Sequence, residues 1–146
     1  MSDMAQPSTC ERQATKILGV ETMHIAFFVL GGFLLFVSAI RTYSVQRAIV
    51  ETLPPQFQEY EKARYAVSVY ALEPTTPLDV QADYVRSEGL ACGACLSISA
   101  GLFAADHAVF GSLALIAFAW TGYGALADWK TYKSNRERAQ RASEDI

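Results

Sequence analysis

Charged side chains are scarce in this 146-residue chain, in which only 18% of residues are Asp, Glu, Lys or Arg and the net charge is -3. Soluble globular domains contain about 25% charged residues. Because 51% of the residues are hydrophobic, the chain is too apolar for an ordinary soluble domain. It is also too short for a multidomain enzyme. The composition therefore favours a small membrane protein.

Recognisable catalytic motifs are missing as well. The sequence has no HExxH zinc motif, no phosphate-binding loop, no nucleophile elbow and no paired histidines at the centre of a span that would bind haem. It also has no internal repeat and no low-complexity segment. We expect a protein that is not an enzyme and that needs no cofactor.

The apolar residues form two long runs. The first, from Met23 to Ile40, carries no charge and with its preceding turn is long enough to cross a bilayer core of about 30 Å. The second, from Gly89 to Ala127, has 39 residues, which as one helix would measure about 58 Å, nearly two bilayers. It must fold back, and its only acidic or imidazole groups, Asp106 and His107, lie near its middle, where a turn would meet water. The sequence predicts an all-α integral membrane protein with transmembrane helices at residues 18–40, 87–105 and 108–127 and an outer turn at residues 106–107.

Basic residues are concentrated on one side of these predicted spans. Ten of the twelve Lys and Arg residues lie in residues 41–86 or 128–146, and only Arg12 and Lys16 lie on the other side. Cytoplasmic segments carry an excess of basic residues, so the N-terminal tail, residues 1–17, is predicted outside and the charged C-terminal tail inside. The N-terminal segment does not resemble a removable signal peptide. We therefore expect a permanently anchored protein of the bacterial inner membrane, with the mitochondrial inner membrane as the open alternative.

Residues 41–86 are predicted to form a cytoplasmic helical subdomain. The first span has no helix breaker before Pro54-Pro55, so its helix should continue to Thr52. An amphipathic helix should follow and lie on the membrane surface or pack on the other cytoplasmic segments. A third helix is predicted to begin with Thr76 as N-cap and Pro77 as first residue, and to run without a break into the second span. The apolar stripe of the amphipathic helix comprises Phe57, Tyr60, Ala63, Val67 and Tyr70.

Aromatic and basic residues meet at the predicted inner boundary of the membrane. Amphipathic aromatic rings are enriched at headgroup level, and basic residues accompany them on the cytoplasmic side. We predict six membrane-interface anchors on this basis. They are Tyr43, Tyr84, Trp129, Lys130, Tyr132 and Lys133.

Small residues recur at every fourth position of the second span. Positions four apart lie on neighbouring parts of a helix surface, and small side chains there let another backbone approach closely. We predict a helix-packing interface whose partner is another span of this chain or a different protein. Its residues are Gly89, Gly93, Ser97, Gly101 and Ala105.

Cys92 and Cys95 form a C-x-x-C pair, which admits a redox or a metal-binding interpretation. A metal site needs more ligands, and Cys10, His24 and His107 belong near the opposite face of the membrane in this topology. A quinone-linked thiol oxidant would need its pair on the outer side and a second pair to relay electrons. We expect the two cysteines to pack as small apolar residues, with a redox role as the alternative.

Glu21, His24, Asp106 and His107 all map to the predicted outer interface. Glu21 and His24 are three residues apart and share a helix face, whereas Asp106 and His107 lie in the turn. These four side chains are candidates for binding a divalent metal or a haem or for passing protons. The alternative is that they are polar groups placed where the bilayer ends, which need no partner.

The stretch Arg41-Thr-Tyr-Ser44-Val-Gln-Arg47-Ala48 follows the first span directly. It resembles the corresponding part of universal stress protein B, a small bacterial inner-membrane protein with a hydrophilic middle rich in Tyr, Arg and Gln. The resemblance covers residues 40–102, whereas the N-terminal extension, the third span and the cationic tail have no counterpart. It implies a stress-associated membrane protein and transfers no catalytic residue.

These features together predict a non-enzymatic accessory or scaffold protein. We expect it to contact membrane lipids and to associate with another integral membrane protein or with itself, but not with nucleic acid, because acidic residues dilute the cationic tail. A holin-like pore is one alternative, because three spans with a charged C-terminal tail match that architecture. A metal-linked or redox-linked membrane protein is the other.

Overall fold

The computed structural model describes the backbone of residues 9–52, 67 and 69–144, and the side chains of residues 22–51, 67 and 69–144. It contains three long α-helices, α1 (Thr9–Thr52), α2 (Leu78–Ala104) and α3 (Ala108–Glu144). Each is long and apolar enough to cross a membrane. The prediction of an all-helical chain with three candidate spans is confirmed. Most of the predicted amphipathic helix, including Phe57, Tyr60 and Ala63, lies outside the described residues.

The helices extend well beyond the predicted spans. Helix α1 already begins at Thr9 and continues to Thr52, as expected from the absence of a breaker before Pro54. Helix α2 has Pro77 at its N-cap position, with no side chain capping it, so the assignment of Thr76 as N-cap was wrong. The Thr76 hydroxyl instead donates a hydrogen bond to the Tyr70 carbonyl (2.7 Å) and closes the preceding turn.

A tight turn joins α2 to α3 where the sequence predicts it. Asp106 has a positive φ of 58°, a conformation that Asp tolerates better than most residues. The His107 N–H donates to the Leu102 carbonyl (2.9 Å) and satisfies one of the last carbonyls of α2. We call this end of the molecule the hairpin end. The other end, where α1 continues past Ile40, is called the stalk end.

Helix α2 is the central element of the fold. It runs antiparallel to both flanking helices and packs along each of them, and within the described residues no comparable packing joins α1 to α3. The three helices therefore form a layer, not a closed bundle. One side of α2 remains uncovered by the described part of the chain.

The stalk end contains the main hydrophobic core. We call residues 53–77, between α1 and α2, the linker. Val45 and Ile49 of α1 pack with Val67 and Ala71 of the linker and with Val85 of α2. Tyr84 also belongs to this core, and Tyr132 of α3 packs against it. All three helices and the linker therefore meet outside the most apolar parts of the spans, which gives the predicted subdomain a core of its own.

Two amides hold the linker against the helices of the stalk end. Gln81 is fully buried, and its Nε2 donates to the carbonyls of Glu73 (3.0 Å) and Thr76 (2.7 Å). Asn135 of α3 donates through Nδ2 to Gln81 Oε1 and to the Leu72 carbonyl, both at 2.9 Å. We call this pair the amide hub. It donates to three linker carbonyls, of which that of Glu73 also accepts from the Thr76 N–H at 3.0 Å.

Replacing Gln81 with Ala should destabilise the stalk end. The substitution removes the donor to two partly buried carbonyls and the acceptor for the buried bond from Asn135, and these losses should lower the free energy of unfolding by about 1–2 kcal/mol. The change can be measured by titrating the protein in mixed micelles with dodecyl sulfate while recording tryptophan fluorescence. Gln140→Ala, on the exposed end of α3, is the matched control and should have no effect. Equal stability of the two variants would contradict the role of the hub.

Candidate interaction surface of the central helix

Helices α1 and α2 approach each other closely at two glycines. A Cβ atom added to Gly31 would lie 2.8 Å from Ile98 Cγ1 and 3.4 Å from the Ala94 carbonyl oxygen. A Cβ atom added to Gly101 would lie 3.2 Å from Phe27 Cβ. Both positions therefore need a small residue to permit the observed contact, which is how helices associate where lipid supplies no hydrophobic driving force.

Buried serines provide polar contacts at the same interfaces. The Ser38 hydroxyl of α1 donates to the Ser87 carbonyl of α2 (2.8 Å), and the Ser99 hydroxyl of α2 donates to the Gly111 carbonyl of α3 (2.8 Å). All three serines are nearly inaccessible to solvent. Each bond spans two helices and satisfies a hydroxyl that would be costly to leave unpaired in hydrocarbon.

Helix α3 packs on another side of α2. The Phe103 ring covers Gly111, since a Cβ atom there would lie 3.1 Å from three ring carbons. Further along, a Cβ atom on Gly122 would lie 3.4 Å from Cys92 Sγ, and this sulfur lies 4.0 Å from the Phe118 carbonyl oxygen. The thiol of Cys92 therefore faces α3.

The predicted small-residue interface does not stay on one side of α2. Each residue advances the helix by about 100°, so a row of every fourth position winds by about 40° per step. Gly101 faces α1, and Gly93 lies 3.6 Å from Leu34 Cδ1 when a Cβ is added, but Gly89 has nothing within 4 Å. Ser97 and Ala105 are half-buried. The residues that actually line the α1 contact include Ser87, Ala94 and Gly101, which are seven apart.

The uncovered side of α2 is formed by residues between these two contacts. Gly89 and Leu96 are exposed, and Gly93 and Ala100 are half-buried. We call these four residues the open face. A glycine in a helix lowers stability by about 1 kcal/mol relative to alanine, and packing among the described residues gives no reason for one at position 89.

Cys92 and Cys95 are both free thiols of intermediate exposure. The contact of Cys92 with α3 fits the expectation that it packs as a small apolar residue, which remains a prediction. Cys10 lies in α1, and its side chain is outside the described residues. The two described thiols both lie on the central helix α2.

The candidate metal ligands are only partly described. Asp106 and His107 are exposed in the turn, and His24 is half-buried on α1, where its ring meets that of Phe28 edge to face at 6.5 Å. The side chain of Glu21 lies outside the described residues. Among the residues that are described, no group of three His, Cys, Asp or Glu side chains is arranged to hold a metal ion.

The predicted anchors divide into two groups. Tyr43 and Trp129 are exposed, as are Lys130 and Lys133, so all four can reach a headgroup layer. Tyr84 is only 9% exposed, and Tyr132 is half-buried against the same core. Tyr84 packs in the core of the stalk end and its hydroxyl hydrogen-bonds with Asp128 of α3, so it is less accessible to lipid than the other anchors, whose role remains a prediction.

Sequence reasoning missed the amide hub and the interhelical serines. Gln81 and Asn135 each stand among other polar residues, so nothing in the local pattern distinguishes them from surface amides. Ser38 and Ser99 carry a weak signal, because a serine inside an apolar span is most useful where it meets another helix.

Substituting the adjacent glycines of α1 should separate a packed position from an open one. Gly31→Ala places a methyl 2.8 Å from Ile98 Cγ1, whereas nothing lies within 4 Å of a Cβ atom on Gly32. Overpacking should cost Gly31→Ala about 1–3 kcal/mol, and Gly32→Ala should have no cost. Dodecyl sulfate titration of both variants measures the difference. A Gly31→Ala protein as stable as the Gly32→Ala protein would contradict the close approach of α1 and α2.

Comparison with known proteins identifies no family for this chain. No protein-family model matches the chain, and neither a curated protein nor a solved structure is significantly similar to it.

Proposed function

We propose that this protein is a non-enzymatic accessory or scaffold subunit of a larger complex in the bacterial inner membrane. The observation that carries the proposal is the open face of α2. A central helix that is packed on two sides and bears exposed glycine on a third is suited to receive a further transmembrane helix. The short resemblance to universal stress protein B adds an association with stress to the proposal.

The partner helix is proposed to contact the open face between Gly89 and Ala100. Gly89 and Gly93 are separated by three residues, so they form a small-xxx-small pair that allows close backbone approach. Leu96 lies exposed on the same face and offers an apolar side chain for the partner to pack against. Gly101 is excluded from this surface because it already contacts α1.

The stalk end supports the scaffold role. Its core and the amide hub fix the described end of the linker against all three helices, so the described residues of the part proposed to be cytoplasmic form a packed platform. Helix α3 continues to Glu144 with exposed Arg136, Arg138 and Arg141. These residues give the platform a polar, partly cationic surface.

Gly93→Leu should reduce co-purification of the partner complex. The added side chain would fill the cleft that a partner backbone needs, and its own chain offers ordinary contact only, with Leu34 at 3.6 Å from the Cβ position. The measurement is purification in a mild detergent followed by identification of the associated membrane proteins. Gly32→Leu, at an open glycine of α1, is the control and should retain the partner.

Undiminished association in Gly93→Leu would contradict the proposed surface. A wild-type protein that purifies alone, and whose expression abruptly collapses the membrane potential, would contradict the accessory role and favour the pore.

The proposed orientation places the N-terminus outside and the C-terminus inside. It follows from the basic residues, ten of which lie on the proposed cytoplasmic side. In a Cys92→Ala, Cys95→Ala background, a membrane-impermeant maleimide should label Cys10 in intact spheroplasts, and a C-terminal green fluorescent protein should be fluorescent. Labelling of Cys10 only after permeabilisation would reverse the orientation.

A further inference from the structure

An arginine-lined groove lies between α1 and α2 near the stalk end. Its walls are Val37 and Arg41 of α1 and Arg86, Gly89 and Leu90 of α2, and it is an open surface groove of about 390 Å³. The two arginines make one part of the groove cationic, and Val37, Gly89 and Leu90 make the other part apolar.

The two arginines are held in place by one carboxylate. Asp83 Oδ1 accepts a hydrogen bond from Arg41 Nη1 at 2.8 Å and from Arg86 Nη1 at 3.3 Å. Each guanidinium has five N–H donors, and among the described residues only one donor of each is used in this way. Two positive charges and one negative charge leave the cluster with a net charge of +1.

Glu88, the acidic residue nearest to Arg86 in sequence, points away from this cluster, because side chains two residues apart lie about 160° apart around a helix. The charge that acts on Glu88 is the like charge of Asp128 of α3. Asp83 is therefore the carboxylate of this cluster, and it accepts hydrogen bonds from both arginines.

The depth of the groove matches the boundary of the candidate spans. Arg41 directly follows the uncharged run that ends at Ile40, and the uncharged run of α2 begins at Gly89, three residues after Arg86. The Arg41–Asp83 ion pair shows that the two boundaries lie level with each other. With the two uncharged runs in the bilayer, the guanidinium groups would lie at headgroup depth, and Val37, Gly89 and Leu90 would lie at or just below it.

We propose that this groove binds an anionic phospholipid. The phosphate would accept hydrogen bonds from Arg41 and Arg86, since guanidinium groups pair with phosphate oxygens in bidentate geometry. One acyl chain would follow the apolar part of the groove past Leu90, where the missing side chain of Gly89 leaves room. Basic pockets between transmembrane helices on the cytoplasmic side are known to bind such headgroups.

The test is native mass spectrometry of the purified full chain in a neutral detergent. The probes are phosphatidylglycerol, phosphatidylcholine with the same acyl chains, and glycerol phosphate, which is the headgroup without chains. We expect phosphatidylglycerol to bind more tightly than either of the other probes. Arg86→Gln should weaken its binding about fivefold, the equivalent of about 1 kcal/mol for one basic group at the membrane surface.

Two matched controls separate the groove from general effects of charge and bulk. Arg47→Gln removes an exposed arginine of α1 outside the groove, where Arg47 pairs with Glu51, and should bind phosphatidylglycerol like wild type. Gly89→Leu should fill the apolar part of the groove and weaken binding. Gly32→Leu adds the same side chain at another open glycine, outside the groove, and should not weaken binding.

Three results would overturn the proposal. Equal affinity for phosphatidylcholine would remove the role of the anionic charge, and equal losses in Arg86→Gln and Arg47→Gln would remove the specific site. Wild-type affinity in Gly89→Leu, or tight binding of glycerol phosphate alone, would show that no acyl chain occupies the groove. The assay contains no other protein, so its outcome does not depend on the proposed partner.

Discussion

The close approach of α2 to its two neighbours is the contact on which the rest of the fold depends. Lipid competes equally well for apolar side chains, so transmembrane helices associate through close packing and interhelical hydrogen bonds. The glycines at positions 31 and 101 allow that packing against α1, and Gly111 allows it against α3 beneath the Phe103 ring. The hydroxyls of Ser38 and Ser99 then bond across these contacts. With α2 in the middle of a layer, its remaining side is left available.

The stalk end extends this arrangement out of the apolar region and fixes the ends of the helices relative to each other. The amide hub joins α3 to the linker, and the Arg41–Asp83 ion pair joins α1 to α2. The side chains of this ion pair are 40% and 44% exposed, so the pair contributes little energy where water screens it. Its main consequence is positional, because it places two guanidinium groups beside an apolar groove at one depth.

The sequence predicts much of this fold and little of the site, for physical reasons. Helix lengths follow from the bilayer thickness and from the breakers around Pro54 and Pro77, and the hairpin follows from a 39-residue run whose only acidic and imidazole groups are Asp106 and His107. Which residues lie on the same side of a helix is harder to predict from the sequence. A row of every fourth residue looks like one surface in the sequence, yet it winds from the open side at Gly89 to the α1 contact at Gly101. Likewise, Tyr84 has the character of a lipid anchor, and only the packing of the stalk end reveals that it is buried.

Disulfide trapping of the two α2 interfaces tests the central claim most directly. In a background without the native cysteines, Ser38→Cys with Ser87→Cys should crosslink rapidly under mild oxidation in membranes. In a background that keeps only Cys92, Gly122→Cys should crosslink rapidly with Cys92, because a Cβ atom on Gly122 would lie 3.4 Å from its Sγ. The neighbours Ala39 and Tyr123 are exposed, so Ala39→Cys with Ser87→Cys and Tyr123→Cys with Cys92 should crosslink slowly or not at all. If neither contact pair crosslinks faster than its control pair, in which one cysteine is moved by one residue, α2 is not the central helix of the layer.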